Sequence, residues 1–113
     1  MIEFKERKWI YVAGPYTKGD PILHTRNAIL AGSKLYTAGW FPCVPHLTML
    51  WHIVDPRPLQ FWYDFDYQPL RKCEAFVRLP GESTGADMEL VKAREWGLTI
   101  YDTVEDAVAA MQG

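Results

Sequence analysis

The sequence predicts an α/β fold: a single Rossmann-like or flavodoxin-like domain over residues 1–113, with a parallel sheet of four to five strands and helices on both faces. Two observations predict it. Short β-rich apolar runs alternate with segments of helical spacing along the whole chain, and most of the runs stop at a Gly or Pro. Neither repeats nor low-complexity tracts interrupt the alternation, and parallel neighbours require crossover connections of this kind.

Taken in order, Lys8-Trp9-Ile10-Tyr11-Val12-Ala13 is an apolar run that ends abruptly at Gly14-Pro15, as a buried strand opening into a loop does. From Pro21 to Ala38 the residues Ile22, Ala28, Ile29, Leu35 and Tyr36 fall near helical spacing, with Pro21 suited to a first turn and Gly39 to a stop. Trp40 to Val44 reads as a second strand, which Pro42 places near a sheet edge or at the strand's beginning. The aromatic segment from Leu47 to Tyr67 is broken by Asp55-Pro56-Arg57-Pro58, and Leu59 to Cys73 contains a helix that Pro69 interrupts or bounds. Ala75 to Leu79 is a third strand closed by Pro80-Gly81. Thr84 to Trp96 is a helix ended by Gly97, and Leu98 to Tyr101 is a fourth strand. Thr103-Val104-Glu105-Asp106 has capping-box spacing and opens a last helix to about Met111.

Composition narrows the function classes. A formal charge of −2, from 12 basic and 14 acidic residues without a run of either sign, excludes the electrostatic footprint of polymeric nucleic acid or an anionic membrane. Five Trp, six Tyr and five Phe are more aromatic area than one small core hides, so some of it lines a pocket or a subunit interface. No apolar run reaches signal-peptide or membrane-spanning length, which predicts a soluble, cytoplasmic protein. Cys43 and Cys73 read as reduced core thiols. His46 and His52 are six apart, which is not a usual zinc spacing, so neither metal nor other cofactor is expected. His46 follows the second strand and is placed to contact a ligand, whereas His52 and His24 read as surface or interface residues.

In parallel sheets ligands sit beyond the carboxyl ends of the strands. Three such ends carry unusual residues: Gly14-Pro15-Tyr16, Pro45-His46, and Pro80 to Gly85. The last runs into a helix with Ser83 and Thr84 as cap candidates and Gly85 in its first turn, where free backbone N–H groups can hold phosphate or sugar oxygens. Glu89 lies in the second turn, with Ala86 at i−3 and Ala93 at i+4 leaving room around its carboxylate. By spacing alone a solvated surface glutamate is the default reading, and Tyr11 alone is an ordinary core aromatic.

Three ordered segments change that balance. Tyr11-Val12-Ala13-Gly14-Pro15, Cys73-Glu74-Ala75 and Ser83-x-Gly85-x-x-x-Glu89-Leu90-x-x-Ala93 together resemble the signatures of the nucleoside 2-deoxyribosyltransferase family, which includes the 2′-deoxynucleoside 5′-phosphate N-hydrolases. The likeness covers residues 9 to 101. It implies that Glu89 is the nucleophile attacking C1′, that Tyr11 orients it, that Glu74 replaces a family aspartate, and that Ser83 and Gly85 contact the 5′ end of a small nucleoside or nucleotide. It also implies a homo-oligomer whose neighbours complete each other's sites. Asp87 and Val91 stand where members often have glycine, and Asp87 with Glu82 puts negative charge beside the helix start, unfavourable to a phosphate. The expected activity is N-glycosidic bond cleavage, as a hydrolase or a base-exchange transferase. The rival is a catalytically silent nucleotide-binding or sensing module of the same fold.

Overall fold

In the computed structural model, which describes residues 3–112, four parallel strands form one sheet in the order β2-β1-β3-β4. The strands are β1 (Trp9–Ala13), β2 (Phe41–Cys43), β3 (Ala75–Arg78) and β4 (Thr99–Tyr101). The helices are α1 (Pro21–Ala38), α2 (Met49–Val54), α3 (Leu59–Lys72), α4 (Thr84–Glu95) and α5 (Val104–Gln112), with a 3-10 turn at Pro45–Thr48. The predicted parallel α/β class is the one observed. Strand order reverses between β1 and β3, and that reversal opens a crevice at their carboxyl ends.

The period of two along β1 divides the core. Ile10 and Val12 face a cluster with Leu35, Trp40, Val77 and Ala107, beneath α1 and α5. Tyr11 and Ala13 face the opposite cluster, with Leu70, Phe76, Ala86 and Ala93 beneath α3 and α4. The register pairs Tyr11 with Cys43 on one side and Phe76 on the other, so these three share the α3/α4 face. Cys43 and Cys73 are free thiols.

Local chemistry sets the helix limits. The Asp20 carboxylate accepts hydrogen bonds from the N–H groups of Ile22 (3.0 Å) and Leu23 (3.3 Å), Pro21 opens α1, and Gly39 closes it at φ +124°. Thr25, Ala28, Ala31, Gly32 and Leu35 form its buried stripe. At Gly32 a Cβ would lie 3.0 Å from Val44 Cγ2, so the missing side chain lets α1 approach the end of β2. Helix α5 starts as the sequence predicts, with Thr103 Oγ1 accepting from the Asp106 N–H at 3.0 Å.

One expectation needs correction here. Helix α3 runs through Pro69 instead of breaking at it. The proline lies in the last turn, where it removes only the bond to the Phe65 carbonyl, and burial of Leu70 on the sheet holds the helix together. Helix α2 lies in the aromatic segment ahead of Asp55-Pro56-Arg57-Pro58, where the sequence reading placed no element; it buries no residue fully and has no side-chain cap, so neither pattern nor cap announces it. No helix among the described residues is long and apolar enough to cross a membrane.

Trp40 joins the layers at the α1/α5 face. It is buried, meets Tyr101 edge-on, and donates its indole N–H to the Ala107 carbonyl at 2.9 Å. Trp40→Phe removes this bond, while the Ala107 carbonyl keeps its place in the α5 ladder, and should lower unfolding stability by about 0.5–1.5 kcal/mol. Urea titration checks this, and an unchanged midpoint and slope would contradict it.

Candidate active site

The carboxyl ends of β1, β2 and β3 meet at a cavity of about 270 Å³. Its floor contains a buried side-chain bond between the central strand and α4: the Tyr11 phenol donates to Glu89 Oε2. Strand parity points Tyr11 toward α4, and Phe76 from β3 stacks beside its ring at 6.0 Å. Helical spacing brings Glu89 down onto the same face between the small residues Ala86 and Ala93, all three buried. A larger residue at either alanine would lift the helix away from the phenol. Both groups are inside the protein: Tyr11 is fully buried and Glu89 is 7% exposed.

Burial dominates the electrostatics. It pushes Glu89 up to about 7, against the opposing pull of the Tyr11 hydrogen bond and the Arg78 charge. The Tyr11 phenol is raised well above its ordinary value by burial and then by Glu89, so it remains a donor throughout the physiological range. Asp66, from α3, lines the same cavity and is pushed up to about 8 by burial and then by the Glu89 charge. The two carboxyls thus differ in environment: Glu89 has a donor and a nearby cation favouring its anion, whereas Asp66 has a carboxylate opposing its own. Both carboxyls are held above the ordinary carboxylate range, and of the two it is Glu89 that has partners favouring its anion.

Asp66 escaped the sequence reading. The available signal was its position four residues before Leu70, which puts both on the inward face of α3, with Tyr63 one turn earlier also lining the cavity. Glu74 requires correction. It directly precedes β3, donates its backbone N–H to Trp9 O at 3.0 Å and accepts from the Thr99 N–H at 3.0 Å, so it sits at the amino end of the sheet. Its exposed side chain lies a strand length, roughly 13 Å, from the carboxyl edge where the cavity opens.

The other predicted residues gather at the cavity in distinct ways. Gly14, Tyr16, His46, Ser83 and Gly85 line it. Pro15 is buried behind the lining; its carbonyl accepts from His46 Nε2 at 2.8 Å, and its ring packs where a Cβ on Gly81 would fall, 2.6 Å away, with Gly81 at φ +117°. His46 is buried, meets Tyr16 edge-on, and is held below the usual histidine range chiefly by burial. Ser83 is the N-cap of α4, its hydroxyl accepting from the Ala86 N–H at 3.1 Å. At Gly85 a Cβ would lie 3.1 Å from the Tyr63 ring, so the glycine admits that aromatic to the start of α4. His52, read from the sequence as a surface or interface residue, is half-buried and also lines the cavity.

Arg78 organises the β3–α4 loop from the end of its strand. Its guanidinium donates to the carbonyls of Leu79 and Gly81 and pairs with Asp87 at 3.0 Å. Glu82 pairs with Lys18 at 2.7 Å. The two acids beside the α4 start are therefore each matched by a cation. No group of three or more His, Cys, Asp or Glu with metal-binding geometry exists among the described residues.

This geometry sets the chain beside known proteins. No protein-family model matches the sequence, and no curated protein matches it. Among solved structures, the chain is similar to a 2-deoxyribosyltransferase from the psychrotolerant bacterium Bacillus psychrosaccharolyticus, with a TM-score of 0.63, 15% identity, and coverage of 91% of this chain and 95% of that one. The two share a fold. The likeness extends over nearly the full length of both chains, so the β1–β3 crevice belongs to the shared architecture rather than to an appended segment.

The raised carboxyls carry a stability consequence. A proton that the folded protein holds up to about pH 7 leaves the unfolded chain near the ordinary value of 4.5, so Glu89's stabilising contribution is full at acid pH and is lost as pH rises through 7. Glu89→Gln should accordingly raise stability at pH 8 by up to about 3 kcal/mol and change it little at pH 4. Thermal melts at the two pH values test this; equal shifts at both would contradict it.

Proposed function

We propose that the protein cleaves the N-glycosidic bond of a nucleoside or its 5′-monophosphate, with Glu89 as nucleophile. The observation that carries the reading is a buried carboxylate, held by a buried phenol, facing a small-molecule cavity that it shares with a second carboxyl, Asp66, raised to about 8 by burial. The similarity in fold to a 2-deoxyribosyltransferase described as a biocatalyst for nucleoside synthesis supports the same reaction class.

The steps follow from these groups. Substrate enters with C1′ against the free Glu89 oxygen while Tyr11 holds the other. As the C1′–N bond lengthens and the sugar gains oxocarbenium character, Glu89 forms a C1′–O ester bond, and the electron pair of the breaking C1′–N bond leaves with the base. Asp66 gives its proton to the departing nitrogen. Water, deprotonated by the Asp66 carboxylate, then attacks C1′ and frees the sugar; a second base doing so instead completes a transfer. Tyr11 and Arg78 are positioning residues, the first aiming the carboxylate and the second ordering the loop and favouring the anion.

Oligomer formation belongs to the same proposal. Leu50, Trp51, Ile53, Val54 and Leu59 are each about half exposed or more along α2 and the start of α3, next to the cavity mouth. A second copy covering this face would complete the wall. Static light scattering should give at least twice the 13.1 kDa chain mass, and a monomer at tens of micromolar would contradict it.

A panel of ribonucleosides, deoxynucleosides and their monophosphates should yield free base from at least one member, with Glu89→Ala reducing the rate by about 10³-fold or more. Binding without base release across the panel would favour a sensing module instead. The pH profile of kcat/KM should be a narrow bell, rising as Glu89 ionises near 7 and falling as Asp66 loses its proton near 8. Asp66→Asn should slow the reaction by about 10²–10⁴-fold and abolish the alkaline limb. A profile flat from pH 6 to 9 would contradict these assignments.

A further inference from the structure

His52 and Trp62 form a polar contact that the reaction steps above leave unused. His52 is on α2 and Trp62 on α3; both line the cavity, and their rings meet edge-on at 5.8 Å. The Trp62 indole N–H donates to His52 Nδ1 at 2.8 Å, and the Arg57 backbone N–H donates to the same nitrogen at 3.3 Å. An indole nitrogen can only donate, and so can a backbone N–H. Two donors converging on one ring atom fix that atom as the acceptor, so the neutral imidazole carries its proton on Nε2. Among the described residues Nε2 has no protein partner.

We propose that His52 and Trp62 are the base-recognition corner of the site, with His52 Nε2–H donating to a hydrogen-bond acceptor, a carbonyl oxygen or ring nitrogen, on the leaving base. The inference rests on the glycosidase reading and deepens it. Three features favour a base over a sugar here. The cavity wall here carries flat rings, Trp62 and Tyr63 beside Leu59, and Trp62 is braced from outside the lining by Phe61 at 4.9 Å, Phe65 at 5.5 Å and Trp51 at 6.0 Å. The donor is single and fixed, suited to one acceptor on a rigid edge. Trp62 also stands four residues before Asp66 on the same face of α3, with Cβ atoms about 5–6 Å apart. A base held at Trp62 and His52 therefore has its glycosidic nitrogen within reach of the carboxyl that protonates it. The indole serves twice, as a wall for the ring and as the lock on the histidine tautomer.

Calorimetric titration of the full protein with free adenine, guanine, cytosine, uracil and thymine, their deaza or deoxo analogues, and free ribose and deoxyribose tests this. At least one base should bind, and replacing a single acceptor on it by C–H should weaken binding about tenfold. His52→Phe should weaken the parent base by a similar factor and erase the difference between parent and analogue. His52→Gln, whose amide reaches the Nε2 position, should restore part of the difference. Trp62→Phe should weaken the parent about threefold or more by releasing the tautomer. Sugar binding should be indifferent to His52. Thermal melts monitor folding, and if His52→Phe fails to fold, His52→Gln and Trp62→Phe carry the comparison. A parent–analogue difference that survives His52→Phe, an effect confined to the sugars, or no base bound by the wild type would overturn the proposal. Base release from nucleosides with an unchanged base ranking in the His52 variants would sink the corner alone. Base binding that depends on His52 without any base release would sink the glycosidase reading alone.

Discussion

The hydrogen bond from Tyr11 to Glu89 is the contact around which the site is built. A carboxylate withdrawn from water is unfavourable unless something inside the protein replaces its hydration. Here a phenol on the central strand does so. The requirement reaches outward: β1 must present Tyr11 to the α3/α4 face, Phe76 must flank it, and Ala86 and Ala93 must let α4 approach closely enough for the bond to form. The small residues of α4 and the strand register are thus parts of one arrangement.

The same burial raises both acids of the cavity above the ordinary carboxylate range. In water, aspartate and glutamate ionise together; in this cavity each opposes the other, and their unequal partners separate them. Glu89 has Tyr11 and the Arg78 charge on its side, whereas Asp66 has neither. The fold supplies this inequality through topology, since β1, the β3–α4 loop and α3 arrive from different directions at the point where strand order reverses. Arg78 serves both ends of the device, tying down the loop carbonyls and holding Asp87 while lowering the cost of the Glu89 anion.

Much of the fold was legible because it is written locally. Helix α1 runs from Pro21 to Ala38 as its spacing, its N-terminal proline and Gly39 predict, and the four strands occupy the predicted apolar runs, three of which stop at a glycine or proline. The site was legible only in part. Neither Tyr11 nor Glu89 carries a local signature of function; the ordered resemblance of three segments singled them out, and the structure places them in contact. Glu74 followed from the same resemblance and lies at the wrong end of its strand, because a motif position does not say which edge of the sheet a flanking residue reaches. Asp66 and His52 were hidden for another reason. They lie in the segment broken by Asp55-Pro56-Arg57-Pro58, where α2 has no caps and no buried stripe, and their positions are set by packing against distant elements.

The central claim is that Glu89 bonds covalently to the anomeric carbon. Peptide mass spectrometry after incubation with 2′-fluoro-arabinosyl nucleosides addresses it most directly, since fluorine at C2′ destabilises the oxocarbenium-like transition states and slows turnover of the sugar ester. The prediction is an added fluorosugar mass on the peptide containing Glu89, absent from Glu89→Ala. Base release with the adduct on another residue, or release by Glu89→Ala at the wild-type rate, would contradict it.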